Sequence, residues 1–343
     1  MKGIRRFYVW SGLFFVIALI LSVGLGGVFI APPTLIAMLI EKLPGIDVQI
    51  TWPAYFSSIL FQVRLPHALL ILMAGLSLGA SGAAYQGVFR NPLADPYLLG
   101  VASGAGLGAV IAMSVHWPQS MANFLSVPAA AFLGALLSIG VVYFLSRVGG
   151  DLPIATLILA GVAMSAFTNA LTSFLMIRSD QELRRALSWL LGGSVINGWE
   201  PVLSVFPYIL LGFIFLTGSG HALNVLQFGE EQATQLGLNV KKAKVAILLS
   251  ASLITAAAIS FSGVIGFIGL IVPHTIRILF GSDYKHLIPL SAIGGSGFLL
   301  LADTAARTLF SPEVVPVGII TALAGVPFFL WLLQSTKKTG LLA

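Results

Sequence analysis

Ten apolar stretches follow one another along the chain, at about 8–30, 65–85, 97–115, 124–146, 154–177, 201–217, 243–261, 264–280, 287–306 and 315–334. A helix needs about 20 such residues to cross the roughly 30 Å hydrocarbon core of a bilayer. The expected fold is therefore all-α: a polytopic membrane protein with about ten transmembrane helices, the eighth span short and poorly separated from the seventh. Composition agrees, since 9% of residues are charged and mean hydropathy is +0.99, where a soluble domain would carry about 25% charge. The first run, from Phe7 to about Ile30, is too long for a signal-peptide core and has no convincing small-residue cleavage site, so it reads as a retained span. No linker or soluble insert interrupts residues 1–343, which read as a single transmembrane domain.

An even number of spans puts both termini on one side. Lys2, Arg5, Arg6, Arg90, Arg147, Lys241, Lys242, Lys244, Arg277, Lys285, Lys337 and Lys338 then flank the spans on that side, and Lys42, Arg64, Arg178, Arg184, Arg185 and Arg307 on the other. Twelve against six makes the terminal side cytoplasmic by the positive-inside rule. The net charge of +6 thus reports membrane topology rather than affinity for nucleic acid.

The longest polar interruption of the second half, 218–244, falls in the cytosol. Within it Gly229 to Gly237 reads as one short helix, with Glu230 and Glu231 in its first turn and Gly237 as a left-handed stop. So short a helix is marginal by itself. Ala233 and Leu236 share a face with which it can rest on something. Two readings stay open locally: a loop helix lying on its own protein, or a ledge offered to a cytosolic partner. On the outer side, Pro32 to Val63 contains an amphipathic piece. Ser179 to Glu200 opens on a helix start, Ser179-Asp180-Gln181-Glu182, and continues with Ala186, Leu187, Trp189 and Leu190, which suit a helix at the outer interface.

Few residues could carry chemistry. Arg90-Asn91-Pro92-Leu93-Ala94-Asp95-Pro96 is a rigid turn, with Asp95 able to cap the next helix; it is either a connector or a constriction at the end of a pathway. Gly100, Gly104, Gly106 and Gly108 follow no strand and precede no Lys-Ser/Thr, so they suit close helix packing rather than phosphate. Pro273 bends the helix that carries His274 and Arg277. Asp303 and Arg307 form an i, i+4 pair, structural or exposed to an outside partner. No histidine has a second ligand at metal spacing, and the absence of cysteine excludes thiolate sites and disulfides. There is no Ser-His-Asp order, no mid-membrane carboxylate pair and no Walker motif. The chain is not expected to be an enzyme, and energy for pumping must come from another polypeptide.

Seven ordered blocks carry a resemblance: R-L-P-H (64–67), Q-G-V-F-R-N-P-L-A-D-P-Y-L-L-G (86–100), L-A-G-V-A (159–163), G-E-E-Q-A-T-Q-L-G (229–237), G-V-I-G-F-I-G-L-I-V-P-H-T-I-R (263–277), L-A-D-T-A-A-R (301–307) and V-P-V-G-I-I-T-A-L-A-G-V-P-F-F (315–329). With these the chain resembles, along nearly its whole length, the FecCD-type permeases of type II ABC importers, which carry ferric siderophores, haem or vitamin B12. The resemblance implies the type II importer fold with ten helices, a homodimer with the pathway on its axis, two cytosolic ATPase subunits that hold the ATP and Mg, and an extracytoplasmic binding protein. It implies no cofactor or metal on this chain, and a place in a bacterial or archaeal cytoplasmic membrane with lipid around it. It makes the 229–237 segment the ATPase-coupling helix, with Gly229, Glu230, Glu231, Ala233, Leu236 and Gly237. Asn91 and Leu93 match one cytoplasmic gate, and Ile154 and Ala155 fall at the other. Arg64 and Arg307 match arginines that receive carboxylates of the binding protein, with His67 where relatives often have another arginine. The expected function is the permease subunit of an importer for a bulky metal chelate. The competing reading, a secondary transporter or channel working alone, needs a membrane-centre ion site that is not apparent.

Overall fold

The computed structural model describes residues 2–46, 49–115, 126–147, 152–177, 183–193 and 198–338. They form helices α1 (Lys2–Gly24), α2 (Pro32–Glu41), α3 (Ala54–Ser58), α4 (Leu65–Phe89), α5 (Val101–Ser114), α6 (Ser126–Leu145), α7 (Ile154–Ile177), α8 (Leu183–Leu190), α9 (Glu200–Gly218), α10 (Gly220–Leu226), α11 (Glu230–Gln235), α12 (Val240–Ser262), α13 (Ile268–Phe280), α14 (Tyr284–Thr308) and α15 (Val317–Lys338), with no strand among the described residues. Among the described residues, seven helical segments are long and apolar enough to span a bilayer. Shorter apolar helices at Val101–Ser114, Ile268–Phe280 and Val317–Trp331 fall where the three remaining expected spans lie.

The central helix is α4, which packs against α14, α12, α13 and α9. Lipid is as apolar as leucine, so hydrophobicity cannot draw helices together here, and close backbone contact must. A methyl group on Gly75 would strike the Gly295 carbonyl, one on Gly79 the Ser291 carbonyl and one on Gly82 the Gly269 carbonyl. The glycines of α5 serve the same purpose, Gly104 lying against Gly134 and Gly108 against the Ala130 carbonyl. Polar pairs add to the grip between α4 and α12, where Tyr85 Oη and Ser252 Oγ are 2.6 Å apart and Thr255 donates to Ser81 at 2.9 Å.

Several boundaries differ from those expected. The first span ends at Gly24 rather than near Ile30, with α2 following after a short turn. The second begins far upstream: α3 runs through one π-helical turn, Ile59–Arg64, directly into α4, and Trp199 Nε1 donates to the Phe61 carbonyl at 2.9 Å. The third is broken, a 3₁₀ turn over Pro96–Leu99 preceding α5. Asp95 caps that turn as expected, accepting from the Tyr97 N–H at 2.7 Å.

Between α12 and α13 the helical path stops, with Gly263 at φ +73° and Phe267 at φ +71°. This non-helical stretch is followed by Gly269, which rests against Leu78 near the middle of α4. Irregular backbone at that depth must be satisfied by the protein itself. Tyr97 does so, its hydroxyl donating to the Ile265 carbonyl at 2.8 Å and accepting from the Ile265 N–H at 3.3 Å.

One expectation for α8 is corrected. Trp189 does not lie in a lipid interface but turns into the bundle, buried together with Ala186, while Arg184, Arg185 and Leu187 stay outside. The i, i+3 pair packs inward because the turn after α8 is pinned there, the Gly318 N–H donating to the Leu191 carbonyl at 3.0 Å. The helix start at Ser179–Glu182 lies outside the described residues.

Candidate functional site

The 25 residues of α4 separate two polar ends of the bundle by about 37 Å at 1.5 Å per residue. One end gathers α10, α11, the turn after α4, the start of α7 and the turn before α14. The expected helix at 229–237 is present as α11. Gly229 opens it at φ +103°, and Glu230 and Glu231 fill its first turn. It closes in a Schellman motif: the Leu238 N–H reaches the Ala233 carbonyl at 3.0 Å and the Gly237 N–H reaches the Thr234 carbonyl at 2.9 Å. This requires the left-handed backbone of Gly237, at φ +86°.

Ala233 is fully buried and anchors this helix, but Leu236 does not share its burial. The helix ends at Gln235, so Leu236 sits in the cap and projects outward, 65% exposed. Phe228 on the approach is 64% exposed, and Glu230, Glu231, Gln232, Thr234 and Gln235 are exposed too. The result is a polar ledge edged by two uncovered apolar side chains.

Behind it, α10 is tied to the bundle. The Gln227 amide donates to the Gly87 carbonyl at 3.1 Å. Asn224 donates to Asp283 at 2.7 Å and accepts from the Tyr284 N–H at 2.8 Å. The donated Asn224 hydrogen bond holds the Asp283 carboxyl below its ordinary range.

Both expected gate segments adjoin α11. A Cβ at Gly229 would lie 3.4 Å from Arg90 Nη1, and Arg90, at φ +49°, ends α4 immediately before Asn91. Asn91 is exposed, and its side chain accepts from the Leu93 N–H at 2.9 Å. Leu93 is half exposed. Burial pushes the Asp95 carboxyl of the same turn up to about 6, against the opposing pull of the Tyr97 N–H. On the other flank Ile154 and Ala155 line a groove of about 1030 Å³ whose far wall includes Glu230, Glu231 and Thr234. Lys244, buried at the root of α12, donates to Glu230 Oε1 at 2.7 Å and to the Leu152 carbonyl at 3.1 Å. Sequence reading placed Lys244 only as a loop charge, beside the exposed Lys241 and Lys242, and nothing local signalled its burial.

The opposite end holds Arg64, His67, Asp303 and Arg307 in one cluster. Arg64 is only 8% exposed. Its guanidinium donates to the carbonyls of Val23 at 2.8 Å, Gly24 at 3.0 Å and Val28, where the α1 dipole favours a cation. Arg307 donates to Asp303 at 2.8 Å and to the Ser22 carbonyl at 3.1 Å. His67 Nε2 lies 3.0 Å from the other Asp303 oxygen. The structure brings these side chains together, with both arginines donating to carbonyls at the end of α1 and His67 meeting Asp303. Back at the first end, Arg277 donates to Tyr284 Oη at 2.9 Å and to Gln86 at 3.3 Å, while neither ring nitrogen of His274 has a hydrogen-bond partner. Among the described residues no group of three or more metal-ligating side chains occurs.

Comparison with known proteins agrees with this architecture. The FecCD transport family model matches residues 14–335. The cobalamin import system permease of Halobacterium salinarum is 41% identical over 321 residues, 89% of this chain and 85% of that protein. The hemin transport permease of Yersinia pestis is 44% identical over 285 residues, 81% of this chain and 84% of its own length. An ABC transporter assigned to the metal-chelate type, solved in an inward-facing conformation, superposes with a TM-score of 0.81 at 32% identity, covering 96% of this chain and 99% of its own. The chain is a multi-pass membrane protein that belongs to the FecCD transport family, the permease subunits of metal-chelate ABC importers whose ATPase is a separate polypeptide.

Proposed function

We propose that two copies of this chain form the transmembrane pathway of an ATP-driven importer that takes a bulky chelate, of the haem, cobalamin or ferric siderophore class, from an extracytoplasmic binding protein into the cytoplasm. Both termini and α11 lie on the cytoplasmic side. The observation that carries the reading is the ledge at α11: a short helix closed by a Schellman motif, with Ala233 as its only fully buried residue and an exposed rim of Phe228, Glu231 and Leu236, suits the groove of an ATPase. The approach to α11 at Gly229, which lies beside Arg90, and the groove that α11 shares with Ile154 and Ala155 support a role for Asn91–Leu93 and Ile154–Ala155 as the cytoplasmic gate. When ATP closes its partner subunits, pressure on Glu230–Gly237 tilts the helices that carry these turns.

The homodimer is supported by α7, which is exposed around most of its circumference, with Ala155, Val162, Ala166, Asn169 and Ser173 recurring at helical spacing along one side. That strip, small and partly polar, suits a corridor through which a ligand is handed over rather than held. Arg64, Arg307 and His67 mark the end at which the binding protein docks. Its carboxylates must compete there with Asp303 and the carbonyls of α1, so docking is expected to shift the end of α1.

Uptake of haem, a ferric siderophore and cobalamin into proteoliposomes, each with its binding protein and with the ATPase, tests the proposal. One of the three should accumulate only with ATP. Accumulation by the permease without an ATPase would refute it. Replacing Glu230 and Glu231 together by Arg should leave membrane insertion intact and abolish ATP-driven uptake.

A further inference from the structure

We propose that Lys244 is a positioning residue that couples α11 to the gate segment ahead of α7, transmitting displacement of the ledge to Ile154 and Ala155. The inference rests on the coupling role of α11 given above and adds the element that transmits the motion. Three lysines stand at the start of α12. Lys241 and Lys242 are exposed, whereas Lys244 is buried, its side chain only 5% accessible.

A buried ammonium must be fully partnered, and its two partners belong to different moving parts. Glu230 Oε1, at 2.7 Å, is the first residue of α11; the Leu152 carbonyl, at 3.1 Å, lies two residues before Ile154. The groove beside α11 otherwise separates these walls. Lys244 thus crosses between ledge and gate at the closed edge of an open cleft. If α11 moved alone, one of the two contacts would break and leave the charge under-solvated. Movement of both together preserves them, and this makes the coupling obligatory.

The chain contains no cysteine, so an Ala155→Cys variant supplies one thiol per permease chain, at the gate. The reconstituted permease–ATPase complex is labelled with a maleimide, with and without a non-hydrolysable ATP analogue, and ATP hydrolysis is measured in parallel. This readout needs no transported ligand. Lys244→Met should shrink the nucleotide-dependent change in labelling rate at least fivefold while hydrolysis continues, and Lys244→Arg should restore it. Glu230→Gln, which weakens the same link from a half-exposed side, should give an intermediate loss.

An unchanged nucleotide response in Lys244→Met overturns the strut while leaving the importer reading intact. Failure of Lys244→Met to assemble, with a normal response in Glu230→Gln, also overturns it, leaving Lys244 a folding residue alone. If the unmutated permease binds no ATPase, the coupling role of α11 falls first and this inference with it.

Discussion

Replacing Arg64 by Met separates two jobs that the same side chain can have. In the structure its guanidinium donates to three carbonyls, of Val23, Gly24 and Val28, and is 8% exposed. Hydrogen bonds to a charged group contribute about 1.5–3 kcal/mol each. Three are not additive, because water reaches part of the freed carbonyl surface, and leaving a buried carbonyl unsatisfied costs about 1–3 kcal/mol. That range is the expected loss for Arg64→Met. Lys has the charge but one compact ammonium in place of a fork, so it cannot span all three acceptors, and Arg64→Lys should recover only part of the loss. The assay is thermal unfolding of the detergent-solubilised permease with no binding protein present, where Arg64→Met should lower the midpoint by several degrees. If the midpoint is unchanged while affinity for the binding protein falls, Arg64 acts only in docking, and the assignment of its contacts to the end of α1 is refuted.

Gly79→Val drives a branched side chain into the Ser291 carbonyl of α14 and should destabilise the permease by about 1–3 kcal/mol, seen as a lower unfolding midpoint; Gly140→Val, which meets nothing within 4 Å, is the control. Tyr97→Phe removes the hydroxyl that serves both Ile265 backbone groups and should cost about 1–3 kcal/mol by leaving them unpaired, with faster hydrogen exchange at the Ile265 amide as its signature. The Asp95 carboxyl, raised by burial from 3.8 to about 6, binds its proton more tightly in the folded protein than in the unfolded one. Its contribution to stability should therefore fall as pH rises from 4 to 6 and stay level above that. Asp95→Asn should remove that slope in unfolding midpoints measured from pH 4 to 7.5, while the side-chain oxygen still caps Tyr97.

Some contacts were legible before any coordinates. The Asp95 cap, the Asp303–Arg307 pair and the Gly229–Gly237 helix are short-range: donor and acceptor lie within a few residues, and the helix or turn geometry alone brings them together. The glycines of α5 were legible as packing residues because no other use suited them. Lys244 and Arg64 were not legible in the same way. Their partners lie 14 and 92 residues away for Lys244 and 36 to 41 for Arg64, and no local pattern relates them. Trp189 was misjudged for a related reason, since an amphipathic helix looks alike whether its apolar side meets lipid or protein.

The apolar spans, the polar segment at 218–244 and the motifs of the family were determined by the sequence by itself, because burial in a bilayer demands apolar length and a cap demands particular residues. The tertiary structure alone decided which face of each helix is inward, which of three neighbouring lysines is buried, and which carbonyls receive the arginines. In a soluble protein the apolar stripe of a helix would have indicated its inner face. Here lipid and protein interior are equally apolar, so an apolar face does not mark the inner side of a spanning helix, and the choice is made where backbones close on one another and polar side chains pair.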